Sequence, residues 1–364
     1  MGLKCGIVGL PNVGKSTLFN ALMQNSQAQA ENYAFCTIDP NIGIVEVSDP
    51  RITVISDIVQ PQKLIPATVE FVDIAGLVEG ASTGEGLGNR FLSHIREVDA
   101  IAHVVRAFED GNVVHVSNRI DPVDDIKTIN LELIFSDLQT VEKALANAEK
   151  NKKSGDREQA LLANLLGRVK THLEQEKPVR LLDLEKSDQK RIASLCLITS
   201  KPVLYIVNIS DNMQSDYERI AAIRNISDSE DAPMVPICAA IEQEISELDS
   251  SEAALFLKDL GYKEKGIDRV IRAAYSLLGL HTFFTAGPKE VHAWTIKRGT
   301  TAPQAAGTIH SDFQRGFICA ETITYEDYIS FNGEQGARAA GRLHQQGRDY
   351  VVNDGDIIHF RFNV

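Results

Sequence analysis

The sequence predicts an α/β protein whose core is a mostly parallel, doubly wound sheet, and two observations support this fold class. Short apolar runs of strand length alternate with stretches of helical periodicity, and a Gly-rich turn separates the first run from the first helical stretch. The apolar runs lie at 3–8, 42–47, 68–73, 101–105, 203–207 and 234–238. Strands separated by helices in this way form parallel sheets with helices on both faces.

The turn after the first strand is a phosphate-binding motif. Residues 9–16 read GLPNVGKS and match G-x-x-x-x-G-K-[ST] in full, between a strand and a helix as the chemistry requires. Backbone N–H groups of such a loop point at phosphate oxygens, and the helix N-terminus adds partial positive charge. We expect Lys15 to reach the β- and γ-phosphates and Ser16 to coordinate Mg²⁺. The residues predicted to bind nucleotide here are Asn12, Val13, Gly14, Lys15, Ser16 and Thr17.

Two further positions complete a predicted metal and switch region. Asp73 ends a strand in the sequence D-x-x-G, where P-loop proteins hold the metal through water, and Gly76 would donate its N–H to the γ-phosphate. Thr37, between the first helix and the next strand, is predicted as the second protein ligand to Mg²⁺. Five glycines between 76 and 88 suit a loop that the γ-phosphate orders, although an ordinary flexible loop would have the same composition.

An inserted helical hairpin is predicted where the strand pattern stops, between 105 and 203. Apolar residues there recur at intervals of three and four, the spacing of a coiled-coil seam, and a polar turn at 151–156 separates two such stretches. We expect two antiparallel arms of roughly 20 residues, about 30 Å long. A helix pair packed flat on the sheet would give similar spacing and stays open. The seam residues are Leu131, Ile134, Leu138, Val141, Leu145 and Ala148, followed by Leu162, Leu166, Val169 and Leu173.

The pattern changes again after a helical stretch at about 243–280. Short strands and tight turns predict a separate small α+β domain at the C-terminal end. The predicted segments are 1–125, the first part of the nucleotide-binding domain; 126–200, the hairpin; 201–280, its second part with a helical extension; and 281–364, the small domain.

Composition narrows the function classes. The 364 residues carry a formal net charge of -13, which argues against binding nucleic acid over the whole surface. The five cysteines form no C-x-x-C pair, and no run approaches the roughly 18 apolar residues of a membrane helix. The first residues show no signal-peptide pattern. We therefore expect a cytoplasmic protein with no membrane association.

Several stretches resemble the Obg-like ATPases, the YchF group, over essentially the whole chain. The similar stretches are GLPNVGKS at 9–16, NYAFCT at 32–37, FVDIAGL at 71–77, GEGLGN at 84–89 and HFRFNV at 359–364. The resemblance implies a G domain, an inserted helical hairpin and a C-terminal TGS domain of β-grasp type. It also implies hydrolysis with ATP preferred, and association with the ribosome, through its large subunit or the 70S particle, in translation and stress responses. Asn12 matches a P-loop Asn that helps place a monovalent cation in related proteins, which implies K⁺ dependence.

The base-reading motif departs from this family. GTPases use N-K-x-D, in which the Asp accepts two N–H bonds from guanine, whereas the YchF group usually ends the motif in Glu. Here residues 208–211 read NISD, so Ile209 replaces Lys while Asp211 keeps the guanine-type carboxylate. Asn208, Ile209 and Asp211 are predicted to contact the base. GTP therefore stays open beside ATP.

The catalytic groups are less well defined by sequence. Many GTPases place Gln directly after D-x-x-G, but Leu77 stands here and can neither orient water nor accept a proton. We expect slow intrinsic hydrolysis with Lys15 and Gly76 stabilising phosphate charge. The candidates for positioning water are His94, His103 and His115. His103 lies in an apolar strand and is expected in the core, and His94 lies in the helix after the glycine-rich loop. His115 is chosen because it follows a turn that could approach the phosphates and because the resemblance favours it.

Two functional classes remain open. The first is a hydrolase whose turnover times a ribosome-bound cycle, and the second is a nucleotide-gated binding module in which hydrolysis is incidental. The small C-terminal domain combines basic residues with aromatic ones, which suits RNA contact, although solvated charge around core aromatics gives the same composition. The residues concerned are Lys297, Arg298, Arg338, Arg342, Arg348, Trp294, Phe317 and Tyr350.

Overall fold

The computed structural model describes residues 3–27, 41–74, 87–110, 119–152, 156–211 and 214–363. Thr37, Gly76, Leu77 and His115 lie outside these ranges, so their predicted roles are not tested. The chain forms two compact units. The first comprises 1–43 and 70–274, and the second comprises 44–69 and 275–364.

The strands and helices of both units are numbered in chain order. The strands are β1 (Lys4–Val8), β2 (Ile42–Glu46), β3 (Lys63–Ile65), β4 (Thr68–Asp73), β5 (Ala100–Arg106), β6 (Val203–Asn208), β7 (Met234–Ile237), β8 (Leu280–Ala286), β9 (Glu290–Lys297), β10 (Phe317–Ile323), β11 (His344–Gln346) and β12 (Ile357–Phe362). The helices are α1 (Lys15–Gln27), α2 (Pro50–Val59), α3 (Leu87–Glu97), α4 (Pro122–Lys152), α5 (Arg157–Glu174), α6 (Lys186–Ile192), α7 (Tyr217–Ser229), α8 (Ala239–Ser246), α9 (Ser250–Asp259), α10 (Gly266–Leu277), α11 (Ala302–Ile309), α12 (Ser311–Arg315), α13 (Tyr325–Ser330) and α14 (Glu334–Ala339).

The predicted doubly wound sheet is confirmed. Its strand order is β2-β4-β1-β5-β6-β7, and β1 pairs in parallel with both β4 and β5. Every residue of β5 and β6 is buried, which is why these strands are nearly continuous apolar runs. Because β1, β4, β5, β6 and β7 all run parallel, their carboxyl ends meet at one edge of the sheet.

The predicted helical hairpin is also present, formed by α4 and α5. Its seam residues Ile134, Val141, Leu166 and Val169 are buried in one apolar cluster, with Leu138, Leu145 and Leu162 packed against it. Lys170 on α5 lies 2.9 Å from a carboxylate oxygen of Glu142 on α4, midway along the arms. The spacing of three and four therefore reports the contact between the two arms.

A buried carboxylate fastens the base of the hairpin. Asp137 on α4 is fully buried and accepts three hydrogen bonds, from Ile198 N (2.9 Å), Thr199 N (2.7 Å) and Thr199 Oγ1 (2.7 Å). Burial raises the pKa of Asp137, and these donors oppose the shift. The chain that returns from the hairpin to β6 is thus held on α4 by bonds that water cannot replace.

The second unit contains a segment that the sequence analysis did not separate from the nucleotide-binding domain. Its sheet has the order β11-β10-β12-β8-β9-β3, and β3 joins it by pairing Lys63 with Glu290 in parallel. Arg51 on α2 lies 2.7 Å from a carboxylate oxygen of Asp354, so an ion pair also joins 44–69 to the C-terminal part. The predicted domain boundaries and the TGS assignment of 281–364 stay predictions.

Candidate nucleotide site

A cleft of about 1010 Å³ opens at the carboxyl edge of the parallel sheet. Ligands bind at this edge in α/β proteins, because loops from several strands converge there. Most of the predicted nucleotide-binding residues line it together: Asn12, Gly14, Lys15, Ser16, Thr17, Asn208, Ile209 and Asp211. Val13 is 1% exposed and is not among the residues that line the cleft.

Two glycines allow the phosphate loop to fold against the sheet. A Cβ on Gly9 would lie 2.5 Å from the carbonyl oxygen of Val104 on β5. Gly14 has φ +94°, and a Cβ there would lie 2.2 Å from Asn208 Nδ2. Leu18 N donates to Gly14 O at 3.0 Å, so helical bonding begins directly after the loop. The first-turn N–H groups of α1 therefore face the cleft without helical acceptors.

Lys15 lies over the loop with its ammonium group held by loop carbonyls. Its Nζ donates to Gly9 O at 2.8 Å and to Leu10 O at 2.7 Å. Burial lowers the pKa of Lys15 to about 8, and the nearby Asp73 carboxylate opposes that shift. A partly desolvated cation at this point attracts phosphate strongly, because little water screens it.

Asp73 lies at the end of β4, beside the phosphate loop. β4 pairs with β1 so that Asp73 is opposite Ile7, just before the loop begins. Burial raises the pKa of Asp73, and the Lys15 ammonium group opposes this shift. An exposed Ser16 hydroxyl and a half-buried carboxylate are hard oxygen donors of the kind that Mg²⁺ prefers, so these residues fit a nucleotide-associated divalent metal.

Asn208 connects the phosphate loop to the base end of the cleft. Its Nδ2 donates to Val13 O at 2.9 Å, and its Oδ1 accepts from Ala239 N at 3.0 Å, at the start of α8. Asn208 is 6% exposed, so both bonds are sheltered from water. The predicted base-contacting residue is therefore also a structural anchor that fixes where the loop lies relative to β6 and β7.

Asp211 and Cys238 lie on the base side of the same cleft. Asp211 is exposed, and its carboxylate can accept hydrogen bonds from a base. Burial raises the pKa of the Cys238 thiol, and the Asp211 carboxylate contributes to this shift. Ile209 is 5% exposed and adds an apolar wall where GTPases of the N-K-x-D type have Lys.

Sequence reasoning missed a second wall, formed by Phe108, Glu109 and Asp110 after β5. Arg106, which is 1% exposed, supports it: its guanidinium carbon lies 4.4 Å from the centre of the Phe108 ring, and its Nε donates to Phe108 O at 3.2 Å. The order of parallel strands could have pointed to this wall, because the ends of β5 and β7 meet the same edge as β1. The other residues missed are Ser210, Cys238, Ala239, Ala240, Ile241, Glu244, Phe256 and Leu260.

The candidate histidines that the structure describes, His94 and His103, differ in burial. His103 is 2% exposed and lies 5.7 Å from the Tyr205 ring, and burial lowers its pKa to about 3. It therefore stays neutral in the core, as the sequence analysis expected. His94 is exposed on α3. His115 lies outside the described residues.

Within the described ranges, no helix is both long enough and apolar enough to cross a membrane.

A phosphate loop and a neighbouring carboxylate in this strand order, beside a cleft lined by the predicted base-contacting residues, define a P-loop nucleotide-binding protein of the GTPase fold. Family models agree: residues 4–137 match the family described as 50S ribosome-binding GTPase, and residues 280–363 match YchF-GTPase_C, described as a protein of unknown function. The chain belongs to the YchF family.

Curated relatives match along the whole chain. The "Ribosome-binding ATPase YchF" of Bacillus subtilis (strain 168) is 54% identical, and that of Escherichia coli O157:H7 is 51% identical, each over 100% of both chains. The solved structure of the Schizosaccharomyces pombe YchF GTPase superposes with a TM-score of 0.89 at 38% identity, covering 99% of this chain and 98% of that one. A GTP-binding protein from Pyrococcus horikoshii OT3 shares the fold, with a TM-score of 0.63 at 19% identity.

Proposed function

We propose that this chain hydrolyses nucleoside triphosphates with Mg²⁺, prefers ATP, and acts in the cytoplasm as a ribosome-associated switch linked to translation and stress. The observation that carries the proposal is the Asn208 anchor, which joins a complete phosphate loop to a base-binding wall in one cleft. Relatives at 51–54% identity are named ribosome-binding ATPases, which supports both the nucleotide and the partner.

The phosphate end of the cleft would bind the triphosphate by charge and by backbone donors. Lys15 would exchange its loop carbonyls for phosphate oxygens, while the N–H groups of the first turn of α1 complete the cradle. Ser16, Thr37 and Asp73, the last through water, would hold Mg²⁺. The metal supplies neutralisation of the phosphate charge. Asn12 would help place K⁺, which predicts faster turnover in K⁺ than in Na⁺.

Hydrolysis also needs a positioned water. We assign this role to His115, which follows a predicted turn that could approach the phosphates and which the resemblance favours. His103 is neutral and buried in the core, so it is not available for this role. Gly76 would donate its N–H to the γ-phosphate, and Leu77 supplies no polar group in the place where GTPases have Gln. Intrinsic turnover would therefore be slow, and a bound partner would have room to accelerate it.

Only part of the Asn208 amide is left for the base. It already donates one N–H to Val13 and accepts from Ala239, which leaves one N–H, for an atom that both purines share, and one oxygen lone pair. Selection then depends on Ile209, Asp211 and the Phe108 wall. The apolar surfaces of Phe108 and Ile209 suit adenine, which is less polar than guanine.

A GTPase of the Obg type is the second candidate, and Asp211 is the observation in its favour. A carboxylate accepts two N–H bonds from guanine but only one from the adenine amino group. A nucleotide-gated binding module in which hydrolysis is incidental is the third, favoured by Leu77.

RNA contact through the C-terminal unit stays a prediction from resemblance. Several of its cations already have internal partners: Arg338 lies 2.8 Å from Glu334, Arg348 donates to Phe317 O at 3.0 Å, and Arg298 donates to His281 at 3.1 Å. Trp294 likewise donates to Thr285 Oγ1 at 2.9 Å. The macromolecular partner that we propose is the ribosome, through its large subunit or the 70S particle.

The proposal is tested by turnover and by ribosome co-sedimentation on one preparation. We expect a higher kcat/KM for ATP than for GTP, loss of turnover in His115→Ala with unchanged ATPγS affinity, and pelleting with 70S ribosomes that depends on the bound nucleotide. Equal pelleting of wild type and His115→Ala would identify a nucleotide-gated binder rather than a hydrolytic timer. A higher kcat/KM for GTP would overturn the ATP assignment.

A further inference from the structure

Two walls enclose the base end of the cleft, and one ion pair behind them contacts both. We call residues 108–110, after β5, the β5 wall and residues 208–211, which begin with the last residue of β6, the β6 wall. Both line the nucleotide cleft. Asp216 and Arg219, near the start of α7, do not line it, so any effect they have on the nucleotide acts through the walls.

Asp216 holds the β6 wall. Its side chain is 1% exposed, and its Oδ2 accepts from both Ser210 N and Ser210 Oγ at 2.8 Å. An Asp directly before a helix ordinarily caps that helix with its carboxylate. Asp216 makes no such cap bond to α7, and its carboxylate is turned toward Ser210 instead. The buried Asp216 carboxylate thus holds Ser210, the residue between Ile209 and Asp211.

Arg219 joins that carboxylate to the β5 wall. Its Nη1 lies 3.4 Å from Asp216 Oδ1 and donates to Ala107 O at 3.1 Å, and its Nη2 pairs with the Glu109 carboxylate. A planar guanidinium can hold several acceptors in fixed directions, which a single ammonium cannot. The walls are joined at their strand ends by the backbone bond from Ala107 N to Asn208 O at 2.8 Å. Beyond that bond, the Arg219–Asp216 pair links them by side chains, since Asp216 accepts from Ser210 and Arg219 contacts Ala107 and Glu109.

We propose that Arg219 and Asp216 are positioning residues that set the separation of the β5 and β6 walls and thereby the selectivity of the site between purine bases. The inference rests on the proposed function, because it concerns the base end of the same nucleotide site. Phe108 and Ile209 can sandwich a base only at a fixed separation, and Asp211 meets the edge of the base only if the loop at 209–211 is held. The pair acts on the base and leaves the phosphate cradle untouched.

The test compares Arg219→Gln, Arg219→Lys and Asp216→Asn with wild type. The matched control is Arg224→Gln, which removes the same charge from an exposed position on the same helix. The ligands are Mg²⁺-ATPγS, Mg²⁺-GTPγS and Mg²⁺-tripolyphosphate, which carries no base. Binding is measured by calorimetry, hydrolysis by phosphate release, and folding by thermal unfolding.

In Arg219→Gln we expect ATPγS affinity to fall about fivefold and the ratio of ATPγS to GTPγS affinities to fall toward one. Tripolyphosphate affinity should stay within twofold. In Arg219→Gln, KM for ATP should rise while kcat changes little. Arg219→Lys should recover part of the ratio of ATPγS to GTPγS affinities, and Asp216→Asn should resemble Arg219→Gln. Arg224→Gln should match wild type.

An unchanged affinity ratio in both Arg219→Gln and Asp216→Asn would overturn the inference, whether or not thermal stability falls. An equal loss for tripolyphosphate would do the same, since the effect would then lie at the phosphates. If wild type prefers GTPγS, the ATP assignment fails, yet the inference is still judged by the change in ratio between Arg219→Gln and Arg224→Gln.

Discussion

Replacing Asn208 with Ala should damage the phosphate loop as well as the base site. The change removes the donor to Val13 O and the acceptor from Ala239 N, at 2.9 and 3.0 Å. Each buried backbone group left without a partner costs about 1–3 kcal/mol. Two such groups put the loss at roughly 2–6 kcal/mol, a large part of the 5–15 kcal/mol that typically stabilises a folded domain.

The loop can recover part of that loss only by moving, and movement would disturb its phosphate-facing N–H groups. We therefore expect the Kd of Mg²⁺-tripolyphosphate, measured by calorimetry, to rise at least tenfold in Asn208→Ala, about 1.4 kcal/mol. Asp211→Ala is the matched comparison, because it should weaken ATPγS binding and leave tripolyphosphate binding unchanged. Wild-type tripolyphosphate affinity in a folded Asn208→Ala protein would refute the anchor role.

Three further predictions concern the cradle and the hairpin. Burial lowers the pKa of Lys15 to about 8, and only the charged form binds phosphate. ATPγS affinity should therefore be constant below about pH 7 and fall by up to about tenfold per pH unit above pH 8, with proton uptake on binding near pH 8 in calorimetry run in two buffers. An affinity that does not change with pH would contradict a phosphate-binding role for Lys15. Gly14→Ala should abolish ATPγS binding in a folded protein, because the new Cβ would lie 2.2 Å from Asn208 Nδ2 at φ +94°; retained binding by calorimetry would contradict this. Asp137→Ala leaves three buried donors without their acceptor and should lower the free energy of unfolding, measured in urea, by about 3 kcal/mol or more. ATPγS affinity should not change. The control is Glu149→Ala, at an exposed position of α4, and equal stability of the two variants would count against the bonds at the base of the hairpin.

The sequence predicted those parts of the site that are encoded locally. Gly9, Gly14 and Lys15 act within a single turn, so their spacing alone defines the phosphate loop. The hairpin was predictable for the same reason, since its period of three and four reports one continuous contact between α4 and α5.

The parts that were missed depend on contacts between distant segments. Phe108 and Cys238 reach the cleft because β5 and β7 end at the edge where β1 ends, and a single apolar run does not reveal its place in a sheet. The segment 44–69 was placed in the nucleotide-binding domain with its sequence neighbours. Asp49 and Pro50 mark the start of a helix there, with Asp49 accepting from Arg51 N, but a helix start does not show to which unit the helix belongs. Its membership of the second unit follows from β3 pairing with β9, across more than 200 residues of chain.

We propose that this cleft binds ATP in preference to GTP. Calorimetric titration of the wild-type protein with Mg²⁺-ATPγS and Mg²⁺-GTPγS in K⁺ buffer tests this preference directly. We expect the ATP analogue to bind at least ten times more tightly, about 1.4 kcal/mol. Tighter binding of the GTP analogue by that margin would contradict it and would show that Asp211 reads guanine.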